Sequence, residues 1–119
     1  MGDGNNTNKL LLDEYPLIIL PQLACRIGLQ EAVILQQLHY WLLRSTNKQC
    51  GKKWVYKSYD EWHQEFPFWS SSTIRRIITG LEKQGLINSG VFNQYQIDRT
   101  KWYTIDYEEL ERQTSRSDK

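Results

Sequence analysis

Cysteine, histidine and methionine are scarce in this 119-residue chain, at two, two and one respectively, and each scarcity closes off a class of chemistry. Two cysteines, Cys25 and Cys50, make at most one disulfide, so a disulfide-held scaffold is excluded; two reduced thiols, with Cys25 partly buried, are expected. His39 and His63 stand far apart, and neither has a cysteine or carboxylate at metal-ligand spacing, so no metal site is expected. His39 is expected to pack beside Tyr40 and Trp41. Phosphate-cradling loops are missing too: Gly80 and Gly85 are isolated, and neither a GxGxxG nor a P-loop pattern occurs. No catalytic residue and no cofactor follow from such a set. Long apolar runs are also absent, since Leu17 to Leu20 falls far short of a membrane span, and the stretch Gly2 to Asn8 lacks the basic and apolar regions of a signal peptide. A cytoplasmic, non-membrane protein is expected.

An excess of either charge is the last thing missing. Fifteen Lys+Arg stand against 14 Asp+Glu, a net charge of +1, which excludes a uniformly basic nucleic-acid binder. It does not exclude one basic face balanced by an acidic one, because steering depends on the local field. The charges are in fact segregated along the chain. Arg44, Lys48, Lys52, Lys53 and Lys57 follow one another without an acid, and from Ser70 to Gln84 Glu82 stands alone against Arg75, Arg76 and Lys83. Acids gather at Asp60, Glu61 and Glu65, and again at Asp106, Glu108, Glu109 and Glu111.

The length suits one domain with a modest core. Residues 1–16 and 112–119 read as flexible ends, with the domain over 17–111. Leu17 to Leu20 is either a strand or an extended lead-in. From Leu29 to Leu43 a 3, 4 spacing of Ala32, Val33, Ile34, Leu35, Leu38, Trp41 and Leu42 predicts an amphipathic helix, which begins earlier or is broken at Gly28. Residues 45–53 read as a loop and Trp54-Val55-Tyr56 as a short strand. Ser58 and Glu61 fit a capping box that opens a helix from Tyr59 to Phe66, stopped by Pro67. Ser70 to Ser72 are good N-caps for a third helix, Thr73 to Gln84, with Ile74, Ile77, Ile78 and Leu81 on one face and Gly85 past its end. Leu86-Ile87 opens a strand that relaxes over Asn88 to Gly90 and resumes at Val91-Phe92. Lys101 to Ile105 alternates as the returning strand of a hairpin. A short helix, Tyr107 to Glu111, follows. This is an α+β, mainly helical order, that of a winged helix-turn-helix with a three-helix core and a β-hairpin wing.

The third helix carries the functional signal. Ser70, Ser71, Ser72 and Thr73 stand where free N–H groups and small hydroxyls bind phosphate, while Arg75, Arg76, Thr79 and Lys83 lie away from the isoleucines. Arg75, Thr79 and Lys83 are four apart and form one ridge, suited to a DNA groove and equally to a solvated helix face. Lys52, Lys53 and Lys57 would add salt-dependent contacts to phosphates, although a lysine-rich loop also serves solubility alone. Asn93 to Arg99, at the hairpin tip, would reach a minor groove or the backbone, with Asn93 and Arg99 as candidates. Five Trp and seven Tyr invite a single-strand stacking reading, but Trp41, Trp54, Trp62 and Trp102 fall on apolar faces and read as core, while Trp69 in the turn is more open. Asp60, Glu61 and Glu65 are explained by capping and the helix N-terminus rather than by acid/base work.

The stretches Ile27 to Leu42, Trp54 to Tyr56, Glu61-Trp62, Phe66 to Ser70 and Asp98 to Tyr103 resemble a known family. It is the N-terminal winged-helix domain of replication proteins encoded by phages and mobile elements of Gram-positive bacteria, related to replisome organisers and DnaD-type primosomal proteins. The resemblance implies double-stranded DNA as partner, Ser70 to Lys83 as recognition helix and Asn93 to Arg99 as wing, with Trp102 and Tyr103 anchoring the wing to the core. It also implies a possible homo-oligomer and contacts with other replication proteins, and in that family the domain precedes a further C-terminal region. A protein-interaction module using the first helix and Leu17 to Leu20, or a transcriptional regulator, remains the alternative.

Overall fold

The computed structural model describes residues 14–92 and 100–115. Within them the chain forms α1 (Pro21–Ile27), α2 (Leu29–Arg44), β1 (Asn47–Gln49), β2 (Lys52–Lys57), α3 (Tyr59–Glu65), α4 (Ser71–Lys83), β3 (Ile87–Gly90), β4 (Lys101–Ile105) and α5 (Tyr107–Ser115). The four strands make one antiparallel sheet in the order β1-β2-β4-β3. This is a small α+β fold, and no helix among the described residues is long and apolar enough to cross a membrane.

Each helix forms for a local reason. Pro21 sits at the start of α1, where its missing N–H costs no hydrogen bond. The chain breaks at Gly28, so the helical reading around Leu23 to Leu42 resolves into α1 and α2 rather than one long helix. The Ser58 hydroxyl accepts from the Glu61 N–H at 3.2 Å, and Glu61 Oε1 accepts from the Ser58 N–H at 2.9 Å, so the expected capping box is formed. Ser58→Ala is expected to cost about 1 kcal/mol, read as a fall of a few degrees in the thermal midpoint. An unchanged midpoint would show that the cap does not hold α3.

α4 ends in a Schellman arrangement: the Gly85 N–H donates to the Glu82 carbonyl and the Leu86 N–H to the Leu81 carbonyl, both at 3.0 Å. Gly85, at φ +80°, supplies the left-handed residue this needs. Leu86 and Leu81 are both fully buried, completing the hydrophobic contact that goes with the motif.

The core lies where α2, α3 and α4 meet the sheet. Ile34, Leu35 and Leu38 from α2, Trp62 and Phe66 from the α3 region, Ile74, Ile77, Ile78 and Leu81 from α4, and Ile87, Tyr103 and Ile105 from the strands are closed to solvent or nearly so. Trp62 joins three elements, with ring centroids 5.1 Å from Trp41, 6.2 Å from Phe66 and 5.3 Å from Tyr103.

Of the two readings open for Leu17 to Leu20, the extended lead-in is the one formed. Other expectations need correction. The loop over residues 45–53 contains β1, turned into β2 by Cys50-Gly51, both at positive φ as a two-residue hairpin requires. In the third strand it is the stretch expected to relax, Asn88 to Gly90, that pairs with β4, while Val91-Phe92 lies beyond the strand. α5 runs to Ser115, past the end expected at Glu111 and into the segment read as a flexible tail. Arg112 pairs with Glu109 there, the Gln113 amide donates to the Gln84 carbonyl at 2.8 Å, and Arg26 donates to the Thr114 carbonyl. The Glu109 carboxylate is held below its usual range by its hydrogen bonds to Arg112 and then Gln113.

Among single residues, Cys25 is exposed rather than partly buried, because α1 buries none of its side chains completely. His39 packs against Tyr107 of α5, with Nδ1 2.8 Å from the phenol oxygen, rather than beside its sequence neighbours Tyr40 and Trp41. Trp41 is half-buried against the edge of the core, whereas Trp102, also half-buried, lies outside it and packs edge-on to Tyr56 and Phe92.

Candidate nucleic-acid interface

α4 is built to present one face. Its apolar residues anchor it against α2, α3 and β3, which leaves Ser71, Ser72, Arg75, Arg76 and Lys83 exposed, with Thr79 and Gly80 half-buried between them. Ser72, Arg75, Arg76, Thr79, Gly80 and Lys83 line a shallow open groove of about 440 Å³. No acid lines it. The one acid of the helix, Glu82, turns to β3, where the Ser89 hydroxyl donates to it at 2.5 Å. Among the described residues, Arg75, Arg76 and Lys83 form no ion pair with an acid.

The hydroxyls at the helix start divide into two kinds. Ser70 caps α4: its Oγ accepts from the Thr73 N–H at 3.1 Å and donates to Thr73 Oγ1 at 3.0 Å. Ser70 and Thr73 are thereby tied to each other, whereas Ser71 and Ser72 are exposed in the first turn.

Arg75 is held in place from outside its own helix. Its guanidinium lies 4.0 Å from the centroid of the Tyr59 ring, at the start of α3, and Lys101 Nζ approaches the same ring at 6.0 Å. Such stacking fixes a planar cation without neutralising it. Lys101 stands directly opposite Lys57 in the β2–β4 register, and Lys57 Nζ covers the Trp41 ring at 4.2 Å. Lys57 and the newly found pair Tyr59 and Lys101 therefore adjoin the α4 face. Sequence reasoning missed Lys101 because its meaning depends on register; the cue was the alternation of the returning strand, which sets Lys101 on the same sheet face as Tyr103.

Lys52 and Lys53 do not join this group. They begin β2, about 13–17 Å along the strand from Lys57 at its far end, and line a different groove with His39, Asp106, Tyr107 and Glu108. Two acids there offset their charge. Asn93 and Arg99, with the rest of the expected wing tip, lie outside the described residues.

Among the described residues no group of histidines, cysteines and carboxylates has the arrangement of a metal site. Compared with known protein families, with curated proteins and with solved structures, the chain matches none.

Proposed function

We propose that the chain is the winged-helix DNA-binding domain of a replication-initiation protein of a phage or mobile element, with α4 as its recognition helix. The order of α3, a five-residue turn, α4 and a β-hairpin supports the winged-helix reading, with β3 and β4 as the stem of the wing. The sequence resemblance supplies the replication setting. One observation carries the DNA reading: the acid-free exposed face of α4, its cations lined along a helix whose other side is locked into the core.

Mechanistically, Ser72 to Lys83 span about 16 Å of helix, which suits entry into a major groove about 12 Å wide. Arg75 and Arg76 are the residue type that reads guanine edges in bidentate fashion, and Thr79 accompanies them on the ridge. Ser71 and Ser72 meet phosphate at the helix start, while Lys57 and Lys83 neutralise flanking backbone charge. Nothing in this action calls for a catalytic group or a cofactor.

The test is fluorescence anisotropy of a labelled duplex against the wild-type protein over a salt series. With a net charge of only +1, attraction must come from local basic groups, so a slope of log affinity against log salt of about −2 is expected for the phosphates that Lys57 and Lys83 neutralise. Absent binding, or a flat salt dependence, would remove the proposal.

A second reading has an observation of its own. Tyr15, Ile18, Ile19, Leu20 and Leu29 expose apolar surface around α1, as an assembly module would. Sedimentation beside the same titration separates the two, since a stable oligomer without DNA affinity favours assembly with itself or with other replication proteins.

A further inference from the structure

We propose that the small groove at the foot of the hairpin is a seat for a single phosphate group, gripped by Lys57 and Lys101 over Tyr103. The proposal rests on the DNA reading for the source it favours, a backbone phosphodiester, and names the place on the chain that would hold it. Lys57, Ser58, Tyr59, Thr100, Lys101 and Tyr103 line this groove of about 240 Å³, which is below the range of pockets that enclose a whole drug-sized ligand. It has room for one compact group.

Three features make that group an oxyanion. The first is the β2–β4 register, which sets two lysines directly opposite each other. Like charges in that position destabilise a sheet unless something neutralises them. Among the described residues no acid lines the groove, and a third cation, Arg75, approaches across the Tyr59 ring. Glu61, the acid that reaches Ser58, is already committed to the Ser58 amide by the capping box.

The second feature is Tyr103. It is fully buried, and its hydroxyl makes no well-formed hydrogen bond, although Tyr59 and Trp62 lie within reach of it. A buried hydroxyl so poorly satisfied is a cost that native folds rarely carry without a use. Burial, with Tyr59 and Glu82 nearby, keeps the phenol protonated far above its usual range, so it offers a donor and not a second negative charge.

The third is position. The seat draws on β2, β4 and the start of α3, beside the α4 face, where the backbone flanking an occupied groove would run. A phosphate fixed there sets the angle at which α4 enters, and Tyr59 couples the two by touching Arg75 and Lys101 together.

The experiment compares wild type, K57Q, K101Q and Tyr103→Phe in two titrations: labelled duplex across a salt series, and inorganic phosphate at fixed ionic strength. All three substitutions keep the fold, since both lysines reach solvent and phenylalanine keeps the buried ring; the melting temperature of each variant checks this. With a backbone phosphate in the seat, K57Q and K101Q each weaken duplex binding about three- to tenfold and lower the salt slope by about one. Tyr103→Phe weakens it about threefold with no loss in melting temperature. If duplex affinity is unchanged but saturable binding of inorganic phosphate disappears in Tyr103→Phe and K101Q, the seat stands and a free phosphate is its ligand. Variants that match wild type in both titrations overturn it. Should wild type bind no duplex, the DNA reading fails alone and the phosphate titration decides the seat.

Discussion

Replacing Arg75 and Arg76 together by alanine is expected to weaken duplex binding about 100-fold or more, with the fold intact. Each bidentate arginine contact to a base contributes about 1–3 kcal/mol of discrimination, so losing two removes most of what separates a specific site from random sequence. Both side chains are exposed and neither is paired with an acid among the described residues, so stability is expected to move by no more than about 0.5–1 kcal/mol, chiefly from the lost stacking of Arg75 on Tyr59. Lys52→Gln/Lys53→Gln is the informative comparison. Those residues share a groove with Asp106 and Glu108, away from α4, and their removal is expected to change duplex affinity by less than about threefold. Anisotropy titrations of the two double variants at one salt concentration give the contrast directly. Equal losses would mean that affinity comes from diffuse charge, and the assignment of α4 as reader would be abandoned.

That contrast also marks how far the sequence could be read. α4 was legible because its information is local: isoleucines at helical spacing, a serine cap and a glycine past the end each act within a turn or two. The capping box of α3 was legible for the same reason. β1 was not, because its residues are polar on both faces and its turn is Cys-Gly rather than a typical hairpin pair. The end of α5 was hidden too, since polar bonds to Arg26 and Gln84, and not apolar periodicity, tie it down. On the interface, the lysines of residues 52–57 are neighbours in sequence, yet an extended strand carries Lys57 to one site and Lys52 and Lys53 to another. Lys101 joins Lys57 only through a strand register that no local pattern encodes. Charge segregation was therefore visible along the chain, while its division into two grooves required the fold.

Trp62→Ala is expected to cause the largest loss of stability of any single substitution discussed. The side chain is fully buried and packs on Trp41 of α2, Phe66 after α3 and Tyr103 of β4, so its removal opens a cavity where both helices meet the sheet. Truncating a buried tryptophan to alanine costs about 3–5 kcal/mol, a large share of the roughly 5–15 kcal/mol that holds a domain folded. A drop in thermal midpoint on the order of 15 °C follows for a chain of this size, measurable by circular dichroism. Trp62→Phe separates packing from polarity. It keeps an aromatic ring against Phe66 and Tyr103 and removes an indole N–H that has no hydrogen-bond partner in the core. Because an unpaired buried donor is itself unfavourable, part of the lost packing is offset, and the cost of Trp62→Phe is expected to stay below about half that of the alanine variant. A loss under about 1 kcal/mol for Trp62→Ala would mean that α3 is not held to the sheet through this residue. The base on which Tyr59 positions Arg75 would then have to lie elsewhere.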